Sequence, residues 1–167
     1  DHLEDIRCND FEKISKTTNG LVVKFWNVYG LEKDISKSHV ITDFILMAIK
    51  NKKIKMLTNG KESRDFLYVD DCCEGLEIAM KKHTQFIKQG ISIDIASGKE
   101  IKIINIAKII KKIFKKENVD IQIKAKKLKD LIQVNKRNKV NKYFLKFWKP
   151  KTSIQDGINS IVYHYIK

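Results

Sequence analysis

Cysteine and proline are scarce in this chain, and acidic residues are outnumbered by basic ones. Its three cysteines, Cys8, Cys72 and Cys73, are an odd and sparse set, which argues against a disulfide framework. Cys72 and Cys73 are neighbours at a helix start, so their side chains point about 100° apart and cannot share a metal without further ligands; they read as free thiols, and no zinc-ligand spacing occurs. Long apolar runs are missing too. The longest, residues 41–49, is interrupted by polar side chains and falls short of a membrane span, and no basic-then-apolar signal opens the chain. The expectation is a cytoplasmic protein. Repeats and low-complexity linkers are absent, and 167 residues with 43% hydrophobic content suffice for a domain with a core of its own.

With 34 basic against 20 acidic residues the net charge is +14. Residues 102–151 hold 17 basic and 3 acidic residues, an excess equal to that of the whole chain. Such a segment would attract anions, and nucleic acid is the partner class it raises. Nearly all of these charges are lysines on the polar side of periodic segments, so a solvated face is the reading preferred here. A basic binding module for RNA or polyphosphate would need aromatics interleaved with that face. Tyr143, Phe144, Phe147 and Trp148 lie among lysines but at a spacing that reads as core. A non-catalytic interaction piece is a further alternative.

The most informative stretch is Arg64-Asp65-Phe66-Leu67-Tyr68-Val69-Asp70-Asp71. Phe66 to Val69 have the composition of a buried strand, and Asp71 with Glu74 forms a D-x-x-E capping box before a helix through Leu76, Ala79, Met80 and His83. Asn59-Gly60 is a turn signal just upstream, which places Arg64 at a loop mouth where a guanidinium can grip a phosphate bidentately.

This motif resembles the R-D-F-x-Y-V-D-D segment of the extended short-chain dehydrogenase/reductases, the NAD-dependent epimerase/dehydratase family that modifies nucleotide sugars. Asn27-Val28-Tyr29-Gly30 is similar to that family's N-x-Y-G loop, Asp94-Ile95-Ala96-Ser97-Gly98 to its N-I-G-S-G turn, and Trp148-x-Pro150 with Asp156-Gly157 to its closing segment. The four landmarks occur in the family's order. The resemblance implies an α/β fold: the C-terminal part of a Rossmann-like enzyme with its small substrate-binding subdomain. Residues 1–35 would finish the Rossmann-like core and residues 36–167 would be mainly the substrate-binding part. It further implies NAD or NADP as cofactor, a nucleotide-diphosphate sugar as ligand and a homodimeric full-length protein.

The resemblance also assigns roles. Arg64, with Lys127 in a K-x-x-D pattern where relatives carry arginine, would hold the diphosphate; Asn27 would contact sugar or phosphate, and Lys55, Met56 and Leu57 would form the strand beside the nucleotide base. Trp26 and Asn27 would lie near the nicotinamide. Ser38-His39-Val40-Ile41 is similar to a stretch of GDP-fucose synthases whose histidine is an acid in epimerisation, which makes His39 the catalytic candidate. The glycine fingerprint G-x-x-G-x-x-G and the Tyr-x-x-x-Lys pair do not occur at matching positions, so both are expected upstream, and the 167 residues alone are expected to turn nothing over.

Periodicity predicts the remaining elements: helices over residues 1–16, 36–51 and from Ile103 to Phe114, strands at 21–26, 54–57, 91–95 and 119–123, and a last helix capped by Thr152 and Gln155.

Overall fold

The computed structural model describes residues 20–126 and 139–166. The predicted helix over residues 1–16 and the K-x-x-D pattern at Lys127 lie outside them.

Strand β1 (Val23–Phe25) and β2 (Val28–Tyr29) precede a 3-10 turn at Ile35–Lys37 and helix α1 (Val40–Asn51). Next come β3 (Lys53–Lys55), β4 (Ser63–Asp65), β5 (Leu67–Tyr68), α2 (Val69–Lys81) and α3 (His83–Gln89). Strands β6 (Ile93–Ile95) and β7 (Glu100–Lys102), helix α4 (Ile103–Lys116), β8 (Gln122–Lys124), a 3-10 turn at Phe144–Lys146 and α5 (Ile154–Ile166) complete the order.

Among the described residues the strands form four two-stranded ladders. Three are parallel, β1 with β6, β2 with β5 and β3 with β8; β4 and β7 run antiparallel. Parallel partners need long crossovers, so each parallel ladder joins segments far apart in sequence. That interleaving is what brings separate motifs to shared edges.

Two buried clusters hold the fold. In the first, α1, α4 and α5 meet through Phe44, Ile45, Ile106, Ile110, Phe114, Ile158 and Ile161. The predicted apolar face of α4, Ile103, Ile106, Ala107, Ile110, Ile113 and Phe114, is the face it buries. Phe86, Leu67, Ile93, Ile95, Phe144 and Trp148 form the second cluster, with Phe86 edge-on to Phe144 and Phe147. Tyr143 and Phe147 pack against it, as their spacing predicted.

Several local expectations are corrected. Helix α2 begins at Val69 rather than after Asp71, and no D-x-x-E box caps it. Asp71, buried in the first turn, instead accepts the backbone N–H groups of Lys151 and Thr152, each at 2.9 Å. Glu74 accepts the Trp148 indole N–H at 3.2 Å and pairs with Lys151. The last aspartate of the central motif thus fastens the closing W-x-P segment. The cap before α5 is shifted by one residue: Ser153 Oγ accepts the Asp156 N–H at 3.1 Å and donates to the Asp156 carboxylate. The helix expected over residues 36–51 starts only at Val40, because a 3-10 turn at Ile35–Lys37 intervenes, with Asp34 accepting the Ser36 N–H. The central motif is two short strands separated by Phe66, not one.

Candidate functional site

At the carboxyl end of β1 the chain turns through Trp26 and Asn27. The Trp26 indole donates to Asp94 Oδ2 at 3.1 Å, and the same oxygen accepts the Asn141 N–H at 2.8 Å. The Asn27 side-chain amide donates to the Asp65 carbonyl at 2.9 Å. Asp65 Oδ1 accepts both the N–H and the hydroxyl of Ser97, at 2.8 and 2.7 Å. Through its two ends, Asp65 therefore ties the N-x-Y-G loop, β4 and the Ser97-Gly98 turn together. Its Oδ2 is buried and has no hydrogen-bond partner among the described residues. Burial pushes its carboxyl up, against the lowering pull of the Ser97, Gly98 and Lys99 contacts.

Arg64 sits beside Asp65 on β4, and the turn leading to it is tightly specified. Thr58 Oγ donates to Glu62 at 2.5 Å and accepts the Gly60 N–H at 3.1 Å, while Asn59 accepts the Lys61 N–H. Gly60 has φ +69°, and a Cβ there would stand 2.1 Å from Met56 Cε and 2.9 Å from the Ile104 nitrogen, so glycine alone fits. Ladder pairing with Ile101 then holds Arg64, whose Nη1 donates to the Ser63 carbonyl at 2.8 Å.

A third group of residues comes from the start of α1. His39 is the N-cap residue and makes no side-chain cap. Its ring Nδ1 lies 2.5 Å from Glu32 Oε1, and its backbone N–H donates to Glu32 Oε2 at 3.1 Å. Partial burial would raise the Glu32 carboxyl, but hydrogen bonds from His39 and Thr42 outweigh it and hold the group below the usual range.

These pieces surround one cleft of about 550 Å³, within the size range of small-molecule sites. Tyr29, Phe44, Met47, Met56, Phe66 and Ile103 supply apolar wall; Asn27, Glu32, His39, Lys55, Glu62 and Arg64 supply polar groups. Of the residues singled out in the sequence, Asn27, His39, Lys55, Met56, Leu57 and Arg64 line it together. Lys55 is exposed on β3 opposite Lys124, Met56 is buried, and Leu57 is 86% exposed. Trp26 does not line this cleft; its indole is turned to Asp94. Glu32, Thr42 and Glu62 escaped the sequence reading. Only the seven-residue separation of Glu32 from His39 is visible there, and no spacing rule covers it because a 3-10 turn lies between them. Among the described residues, no group of three or more histidine, cysteine, aspartate or glutamate side chains is placed to hold a metal ion.

The sequence pattern of the NAD dependent epimerase/dehydratase family matches residues 8–96, more than half of the chain. The chain belongs to that family. Curated relatives are distant: it is similar to UDP-glucuronic acid decarboxylase 1 of Xenopus tropicalis, 22% identical over 87% of this chain and 33% of the relative. UDP-glucuronic acid decarboxylase 6 of Arabidopsis thaliana is 25% identical over 82% of this chain and 38% of that protein. The chain thus spans little more than a third of these relatives' length. In fold it is similar to the dTDP-glucose 4,6-dehydratase of Bacillus anthracis, with a TM-score of 0.70 and 21% identity over 93% of this chain and 47% of that one.

The described residues do not form a cradle for the family's dinucleotide. Pyrophosphate binding of this kind needs a glycine-rich turn from a strand into a helix. Positive-φ glycines occur at Gly60, Gly90 and Gly98, and none opens a helix directly after a strand. No helix among the described residues is long and apolar enough to cross a membrane.

Proposed function

We propose that the cleft binds a nucleotide-diphosphate sugar and that this chain is the substrate-binding portion of an NAD(P)-dependent nucleotide-sugar epimerase, dehydratase or decarboxylase. The observation that carries the reading is the convergence of Asn27, His39, Lys55 and Arg64 on one apolar-walled cleft from four separate elements. Arg64 is the diphosphate anchor, since its guanidinium offers two parallel donors and its backbone is fixed by the Gly60 turn. Asn27 acts through the sugar or phosphate side of the ligand, and residues 55–57 border the base. Binding energy collected along the nucleotide would align the reacting sugar carbon. In this reading residues 36–167 are mainly the substrate-binding part, and the glycine fingerprint and Tyr-x-x-x-Lys pair belong to a segment outside the 167 residues. The same chain then shows no turnover when mixed with NAD(P) and nucleotide sugars.

A second reading, an epimerase-reductase that uses His39, is favoured by the placement of that imidazole on the cleft rim beside Glu32.

Calorimetric titration with UDP-, GDP- and dTDP-sugars tests the proposal. Binding is expected for at least one of them, and Arg64→Lys should weaken it by about 1.5–3 kcal/mol, the worth of a charge-assisted hydrogen bond. Unchanged affinity of Arg64→Lys for every sugar bound would remove the anchor role.

A further inference from the structure

We propose that Glu32 is a positioning residue that fixes His39 as its Nδ1–H tautomer, so that the Nε2 lone pair is presented to the cleft as the proton-exchanging atom. The ligand-facing part rests on the nucleotide-sugar reading above; the Glu32–His39 arrangement does not.

Glu32 is partly buried and makes two contacts to one residue, Oε1 with the ring and Oε2 with the backbone N–H of His39. His39 is the N-cap residue of α1, and Tyr165 of α5 donates its hydroxyl to the Glu32 carbonyl at 3.3 Å. The carboxylate is thereby held from α1, and its backbone is also held from α5. An ionised carboxylate only accepts, so in the 2.5 Å contact the ring nitrogen Nδ1 must carry the hydrogen. In the neutral ring this leaves Nε2 unprotonated, and among the described residues nothing hydrogen-bonds to it. The side chain is 77% exposed and borders the cleft. A carboxylate on Nδ1 with Nε2 open is the arrangement in which an imidazole accepts a proton while its partner stabilises the resulting cation. The transfer balances simply: a ligand O–H or C–H proton passes to Nε2, the ligand keeps the electron pair, and the reverse step returns the proton to the same atom from the same side.

Capping alone would explain a Glu32 contact to the His39 backbone, but it would not control the ring. The experiment therefore reads the ring. Long-range nitrogen–proton correlation spectra of the 15N-histidine-labelled chain, followed with rising pH until the ring signals stop moving, report which nitrogen of His39 bears hydrogen. The wild-type chain is expected to show the Nδ1–H form. Glu32→Ala should move the ratio about 5- to 10-fold toward Nε2–H, and Glu32→Gln, whose amide oxygen still accepts, should restore it. A wild-type spectrum dominated by Nε2–H overturns the proposal without needing any variant, and so does a ratio indifferent to Glu32→Ala. A UDP-glucose titration of the uniformly 15N-labelled chain separates the two readings. Shifts at Arg64 and Asn27 with an unmoved His39 Nε2 signal overturn the ligand-facing role, whereas no response anywhere in the cleft defeats the nucleotide-sugar reading and leaves the tautomer result to decide the positioning.

Discussion

Replacing Asp71 by alanine should loosen the closing segment from the central motif. The Asp71 carboxylate is 4% exposed and accepts two backbone N–H groups, from Lys151 and Thr152, 80 and 81 residues away in sequence. Its loss leaves both donors facing an apolar methyl. Each orphaned donor costs about 1–3 kcal/mol, so the expected loss for two is about 2–6 kcal/mol, reduced toward the lower figure if water reaches Lys151. Against a total stability of about 5–15 kcal/mol, that is a large fraction. Asp71→Asn keeps one acceptor oxygen and should lose about half as much. The neighbouring Glu74 contacts provide an internal contrast: Lys151 is exposed and its pairing is screened by solvent, so Glu74→Gln should cost far less than Asp71→Ala. Urea unfolding followed by circular dichroism measures all three. A loss below about 1 kcal/mol for Asp71→Ala would refute the reasoning, as would Asp71→Asn being the worse of the pair.

Two further expectations concern burial. Burial raises the Asp65 carboxyl above its ordinary 3.8, so the folded chain binds a proton in a window where the unfolded chain has already lost it. Its contribution to stability is therefore full below 3.8 and declines as pH rises through the folded value; the stability difference between wild type and Asp65→Asn, followed by denaturant titration from about pH 3 to 7, should fall with rising pH, and a difference that grows would contradict this. Gly157→Ala would set a Cβ 2.2 Å from the Tyr29 hydroxyl and 2.9 Å from Tyr68, so displacement of the buried Tyr29 should cost about 1–3 kcal/mol despite alanine's helix propensity; a raised melting temperature would contradict it.

Regular apolar periodicity was the legible part of this fold. The faces of α1 and α4 follow from spacing alone because burial of one helix side needs only local pattern. Short strands such as β2 and β7 were not legible, since two or three residues carry no period and owe their ladders to distant partners. Asp71 shows the same limit at a polar residue. Its position before a helical run suited a cap, yet the N–H groups that it satisfies lie across the chain, and a buried carboxylate takes whichever donors the tertiary structure brings. In the site, Arg64, Asn27 and His39 stood out because motifs frame them. Glu32 did not: it sits in an irregular segment, and its role exists only after the 3-10 turn folds His39 back onto it.

The most direct test of the central claim is an amide chemical-shift titration of the 15N-labelled chain with UDP-glucose and dTDP-glucose. The account predicts saturable shifts at Asn27, His39, Leu57 and Arg64, the residues that share the cleft, and little change at Lys108 and Lys112 on the exposed side of α4. Shifts confined to those lysines, or no cleft response to either nucleotide sugar at millimolar concentration, would contradict it.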